Sequence, residues 1–257
     1  MMQGAEPFFW EPEESKKTGV GILLIHGWTS SPFELQKLGK YLLGKGLTVS
    51  APLLPGHGTV AEDLYFVEWD NWTEAIENSY QELKKKTDKI FVAGVSMGGN
   101  LAIHLASDHL EIRGVITMGA PLFLRKHFLR FFLPIWERIH PMTNKSYPDY
   151  VRQEILVNKR HYWSFPTKSI QDAIDGMNDS IKNLHKIKCP ALVMQSTKDH
   201  LLTARNARVL FRKLGTSRKE KELVWVHDSD HVFIIDLYQE EIFQKTYDFV
   251  LSHIDIL

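Results

Sequence analysis

Lys89-Ile90-Phe91-Val92-Ala93-Gly94-Val95-Ser96-Met97-Gly98-Gly99-Asn100 reads as a buried strand that breaks at a serine and turns at once into a helix. The serine has glycine two residues away on each side. A serine on so sharp a turn sits in a strained conformation, and glycine at those two positions lets strand and helix pass without a Cβ clash. The helix N-terminus behind it favours negative charge developing nearby. Gly-x-Ser-x-Gly by itself also describes an ordinary strand-to-helix turn, and only the flanking strand and helix make Ser96 a candidate nucleophile.

Outward from this point, near-continuous apolar or β-branched runs recur at 20–25, 47–51, 112–118, 191–195 and 222–226, besides 89–95. Unbroken rather than alternating hydrophobicity predicts parallel strands covered on both faces. Helical segments fall between them at 32–45, 71–86, 98–108, 204–214 and 239–253. The alternation predicts an α/β chain with a doubly wound, mostly parallel sheet and a site at the C-terminal strand ends. Residues 121–187 interrupt the rhythm, with no strand signal and many aromatics, among them Phe123, Phe128, Phe131, Phe132, Trp136, Tyr162, Trp163 and Phe165. So long an interval predicts an inserted helical cap rather than a loop, within one domain spanning 1–257.

Composition narrows the partners. Lys plus Arg equals Asp plus Glu at 31 each, so no global field favours nucleic acid, and a small neutral substrate fits best. Cys189 is the only cysteine, which excludes an internal disulfide framework and a cysteine-based metal cluster. Residues 1–17 contain no apolar signal core, and no apolar run approaches the length of a membrane span, so the expectation is a soluble, cytoplasmic protein. Oligomeric state leaves no mark on the sequence.

Where an elbow serine belongs to a catalytic triad, the acid and then the base follow it on loops after later strands. Asp199 lies a few residues past the strand at 191–195, and His231 follows the strand at 222–226 through His227-Asp228-Ser229-Asp230. Asp228 and Asp230 are too close to His231 in the chain to orient its ring easily, and His26, His57 and His104 come too early to be the base. His200 and His227 read as solvated loop residues. The two N–H donors that a tetrahedral intermediate needs are expected from Met97, next after the serine, and from Trp28, after the turn His26-Gly27.

These residues resemble the small bacterial carboxylesterases and monoacylglycerol lipases of the α/β-hydrolase superfamily. The resemblance rests on Gly4-Ala5-Glu6-Pro7-Phe8, Leu23-Leu24-Ile25-His26-Gly27-Trp28-Thr29, Pro55-Gly56-His57-Gly58-Thr59, Gly94-Val95-Ser96-Met97-Gly98-Gly99, Cys189-Pro190-Ala191-Leu192-Val193, Lys198-Asp199-His200 and Asp230-His231-Val232. It implies the α/β-hydrolase fold and a serine esterase or lipase with Ser96, Asp199 and His231 as its triad. It also implies a lid over an apolar acyl pocket, and Trp28 where many relatives carry Phe. No metal, nucleotide or prosthetic group is called for. The aromatic cap predicts a preference for medium or long acyl chains.

Rival classes remain at this level. A thioesterase, peptidase or carbon–carbon hydrolase uses the same triad. Hydride transfer is disfavoured because Gly94 to Gly99 lacks the dinucleotide-binding glycine spacing, and a non-catalytic binding protein is disfavoured because all three triad positions are filled. The stretch 122–133 mixes apolar and basic residues, as a helix in transient contact with a membrane surface does. The reading preferred here is a cap helix with its apolar face on the site.

Overall fold

The computed structural model of the chain describes residues 1–123, 133–147, 160–236 and 239–254. Seven strands form one sheet: β1 (Phe8–Trp10), β2 (Val20–Ile25), β3 (Thr48–Ala51), β4 (Lys89–Val95), β5 (Gly114–Met118), β8 (Ala191–Ser196) and β9 (Lys221–Val226). Their order is β1-β3-β2-β4-β5-β8-β9, all parallel except β1, which pairs antiparallel with β3 at the edge. A further antiparallel pair, β6 (Met142–Asn144) and β7 (Ser164–Pro166), stands apart from it.

The unbroken apolar strands are explained by helices on both faces. Successive residues of β2 alternate between two cores: Ile22 and Leu24 meet α1 (Gln36–Gly44) and α7 (Gln239–Ser252), while Leu23 and Ile25 face α2 (Trp69–Lys84) and α3 (Met97–Asp108). On α2, Trp69, Trp72, Ile76, Tyr80 and Leu83 recur at helical spacing and are buried. The start of that helix is held by a capping box between Glu68 and Asn71. Helix α3 is buried almost all round, which small residues such as Gly98, Gly99, Ala102 and Ala106 permit. The described helices are completed by α4 (Leu133–Ile139), α5 (Ser169–Asn183) and α6 (Ala204–Lys213).

The expected strands and helices are present, with three differences. Strand β1 is too short for its alternation to register in the sequence. The helix expected at 32–45 is a 3-10 turn, Pro32–Leu35, followed by α1. The interval without a strand signal contains β6 and β7 beside α4 and α5; three-residue strands, one ending in Pro166, are below the length at which period-two patterning is visible. Most of the stretch 122–133, with its membrane-surface alternative, lies outside the described residues. Among the described residues, no helix is long and apolar enough to cross a membrane.

The strand order reverses between β2 and β4, whose C-terminal ends meet in the register Ile25 with Gly94. At such a switch point, loops diverge and leave a crevice. The elbow crosses there with very little clearance. A Cβ added to Gly94 would lie 1.9 Å from the Gly98 carbonyl oxygen, and one added to Gly98 would lie 2.2 Å from that of Ile25. Gly98→Ala is therefore expected to cost about 3 kcal/mol or more in chemical denaturation, at or beyond the upper end for overpacking. Gly44→Ala, on α1 with nothing within 4 Å, is expected to gain about 0.5 kcal/mol.

Candidate active site

Ser96 occupies the turn between β4 and α3 with φ 52° and ψ −120°, a left-handed conformation that L residues rarely adopt. Its N–H donates to Met118 of β5 at 2.8 Å and its carbonyl accepts from Gly99 at 2.8 Å, so the strained residue is held from both sides. Asp199 and His231 stand on the loops after β8 and β9, whose ladder runs to the pair Ser196 and Val226. The three predicted residues come together: Ser96 Oγ lies 2.9 Å from His231 Nε2, and Asp199 Oδ2 lies 2.7 Å from His231 Nδ1. Gly119, with φ 67°, backs the imidazole, and a Cβ there would meet His231 Cε1 at 3.4 Å.

Asp199 is almost fully buried, which by itself opposes its charge. The facing His231, its hydrogen bond, and further bonds from the Leu202 N–H and the Gln195 amide outweigh that burial and hold the carboxyl below the usual carboxylate range. Asp199 Oδ1 accepts the N–H groups of Leu201 and Leu202 at 2.9 and 2.8 Å, and Gln195 donates to Oδ2 at 2.7 Å. A carboxylate held in this way keeps Nδ1 of His231 protonated and leaves Nε2 to accept the serine proton. The rival acids are engaged elsewhere: Asp230 accepts from His200 Nδ1 at 2.7 Å, and Asp228 pairs with Lys198 at 2.7 Å.

The loop after β2 borders the serine, since a Cβ on Gly27 would lie 3.5 Å from Ser96 Cβ. Its polar groups are satisfied almost one by one. The Gly27 N–H donates to Glu34, and the Gly27 carbonyl accepts from His26 Nδ1 at 2.9 Å and from the Ser30 N–H at 3.1 Å. The Thr29 N–H donates to His57 Nε2 at 2.9 Å, and the Thr29 carbonyl accepts from the Tyr162 N–H at 2.8 Å. Among the described residues, no hydrogen bond takes up the N–H of Trp28. Met97 opens α3, where N–H groups have no intrahelical acceptor. Met97 thus follows Ser96 in the chain, and the loop that carries Trp28 borders Ser96 in space.

His26 and His57 come too early in the chain to be the base, and their chain positions alone assign them no role. Both instead brace the Trp28 loop. Each accepts a main-chain N–H at Nε2, from Leu54 and Thr29 respectively, and donates from Nδ1 to a carbonyl, so each is a neutral imidazole. Burial pushes His26 down to about 4, and burial with the neighbouring His26 pushes His57 well below the ordinary histidine value. In the sequence both histidines stand only within runs shared with the resembling family, His26 in 23–29 and His57 in 55–59, with nothing there that marks a bracing role.

Above the serine lies a cavity of about 920 Å³, toward the upper end for ligand sites. Trp28, Phe165, Leu201 and Val232 supply apolar wall, and Asn144 and Lys145 are among its polar lining. Of the aromatics expected around the site, Phe165 lines this cavity, and its ring packs 4.4 Å from Trp28. Tyr162 is buried among loops, Trp136 and Trp163 are about half exposed, and Phe128, Phe131 and Phe132 lie outside the described residues.

A serine, an aspartate and a histidine in this chain order on a doubly wound sheet define a serine hydrolase of the α/β-hydrolase fold. The Hydrolase_4 family, described as serine aminopeptidase S33, matches residues 17–237, and the chain belongs to that family. It is 32% identical to the thermostable monoacylglycerol lipase of Bacillus sp. (strain H-257), over 98% of this chain and 97% of that protein. It is 26% identical to a carboxylesterase of Bacillus subtilis (strain 168), over 89% of this chain and 91% of the relative. A solved structure from work on LipS and LipT, two metagenome-derived lipolytic enzymes, superposes with a TM-score of 0.89 at 28% identity, covering 98% of this chain and all of that one.

A test follows from the neutral histidines. A folded-state pKa near 4 for His26, against about 6.5 unfolded, means that the unfolded chain binds more protons between those values, so stability falls as pH drops through that window. The His26 contribution amounts to roughly 3 kcal/mol by pH 4. The imidazole nitrogen signals of His26 and His57 are expected to stay in the neutral form from pH 8 to pH 5, while the urea midpoint falls.

Proposed function

We propose that this enzyme hydrolyses carboxylic esters through an acyl-enzyme on Ser96, with monoacylglycerols of medium or long chain as the substrate class. The observation that carries the reading is the hydrogen-bonded line from Ser96 through His231 to Asp199, at 2.9 and 2.7 Å. His231 takes the proton of Ser96 as Oγ attacks the ester carbonyl, and the N–H groups of Trp28 and Met97 receive the oxyanion. The same histidine then protonates the leaving alcohol and activates water for deacylation, while Asp199 stabilises the imidazolium. The ester assignment is supported by the lipase and carboxylesterase relatives, which span nearly the whole chain.

The cavity supports an ester with unlike ends, because apolar wall from Trp28, Phe165, Leu201 and Val232 accompanies polar groups such as Asn144 and Lys145. We take residues 1–257 as one domain with 121–187 inserted as a cap. In support, β5 and β8 are parallel neighbours, so the chain leaves the sheet after Met118 and returns at Ala191 to the adjacent position.

Ser96→Ala and His231→Ala are expected to lower kcat by about 10⁴ or more with the fold retained, and Asp199→Asn by up to about 10⁴. Asp230→Asn, at a carboxylate that hydrogen-bonds to His200 rather than to His231, is expected to cost far less. Turnover of a chromogenic ester, with a fluorophosphonate label to count active serines, checks all four; a dead Asp230→Asn beside an active Asp199→Asn would reverse the acid assignment. For acyl length, kcat/KM from acetyl to palmitoyl esters below their micelle concentrations is expected to climb by up to about fourfold per methylene and then level off. A flat or falling series would leave a short-chain carboxylesterase.

A further inference from the structure

We propose that Glu34 is a positioning residue for oxyanion stabilisation, acting through the main chain of Gly27 and the hydroxyl of Ser30. The inference rests on the reading above, in which the Trp28 N–H receives the oxyanion.

Glu34 lies on the 3-10 turn Pro32–Leu35 that follows the loop, and only 4% of its surface is exposed. Its two carboxylate oxygens engage the two ends of that loop: Oε1 accepts the Gly27 N–H at 2.7 Å, and Oε2 accepts the Ser30 hydroxyl at 2.6 Å. In both bonds the loop group donates and a carboxylate oxygen accepts. Between these anchors stand Trp28 and Thr29, the latter at φ 62°. The Trp28 N–H belongs to the peptide unit next to the one Glu34 holds, so a rotation of the Gly27 amide would re-aim it.

The carboxylate is also close to the chemistry. A Cβ on Gly27 would meet Glu34 Oε1 at 3.4 Å, the Val95 carbonyl oxygen at 3.4 Å and Ser96 Cβ at 3.5 Å. Burying a carboxylate without partners is costly, and negative charge beside a developing oxyanion would by itself oppose the reaction. Both oxygens are instead taken up by loop donors, which makes Glu34 a staple across Gly27 and Ser30. A donor displaced by an ångström can lose about a hundredfold in rate, so a staple on the donor loop acts on the transition state rather than on substrate capture.

The test uses Glu34→Ala, Glu34→Gln and Ser30→Ala in the full chain. Glu34→Ala is expected to lower kcat about 10- to 100-fold with KM within twofold, short of the effect of deleting an oxyanion donor. Glu34→Gln keeps an acceptor for Gly27, and Ser30→Ala keeps the carboxylate while removing one of its two bonds. Each is expected to cost about three- to tenfold, and these two carry the test if Glu34→Ala does not fold.

The discriminating readout is a trifluoromethyl ketone bearing the acyl chain. Ser96 Oγ bonds to its carbonyl carbon, the carbonyl π pair moves to oxygen as the oxyanion, and the serine proton passes to His231. Its Ki should rise across the variants in proportion to the kcat/KM lost, while the Kd of the free fatty acid stays constant. Unchanged Ki with reduced kcat, a loss confined to KM, or a Glu34→Gln enzyme faster than wild type would each overturn the role of Glu34. A wild type that binds the trifluoromethyl ketone no better than the methyl ketone would overturn the oxyanion reading and the Glu34 inference with it.

Discussion

The interaction on which the structure depends is the near-contact of three backbones at the elbow. The Gly98 segment passes so close to the Ile25 and His26 carbonyls and to Gly94 that no side chain fits at either glycine. This crossing forces Ser96 to φ 52°, at a local cost of about 1–3 kcal/mol, and the strain persists only because the surroundings over-determine it. The surroundings here are the Met118 carbonyl on the Ser96 N–H, the ladder joining β2 to β4, and two cores that bury both faces of the sheet. The exposed geometry of one hydroxyl is therefore set by burial distributed over the whole domain.

A second layer of constraint concerns main-chain polarity rather than packing. The turn after β2 has to be irregular to curve around the serine, and irregular buried backbone must find partners outside any ladder. Side chains supply them from Glu34, His26 and His57, and the main chain of Tyr162 adds another. Two imidazoles suit this purpose because a neutral ring offers one donor and one acceptor in opposite directions, bridging a carbonyl to an N–H without bringing charge into the site.

These two layers explain what was legible in the sequence. The elbow could be read because its constraint is local: glycines two residues from Ser96 are a direct imprint of backbones in contact. Asp199 and His231 could be placed because chain order and strand ends constrain them. Glu34 could not, since a carboxylate in Pro32-Phe33-Glu34-Leu35-Gln36-Lys37 looks like a solvated helix position and its burial arises from tertiary packing. The role of His57 was hidden for a similar reason, because its partner Thr29 is 28 positions away. Within 121–187, aromatic content pointed to a pocket wall, but the exposure of Trp136 and Trp163 depends on how short elements pack, which composition does not encode.

The arrangement of acid and base carries its own consequence. His231 follows β9, one of the two edge strands of the sheet and the least buried of its long strands, so the base hangs from an element comparatively free to fray. The neighbouring loops compensate by cross-linking beyond the last ladder pair. The Ser196 hydroxyl donates to the Ser229 carbonyl, the Thr197 N–H donates to Val226 at 2.9 Å, Lys198 pairs with Asp228, and His200 pairs with Asp230. Asp199 and His231 face each other inside this latch. The carboxylates adjacent to His231 in the chain thus serve the site by tying its two loops together, which is also why neither is available to orient the ring. Opening the latch would separate acid from base without moving Ser96, because the serine is anchored on β4, three strands from β9, by the interior of the sheet.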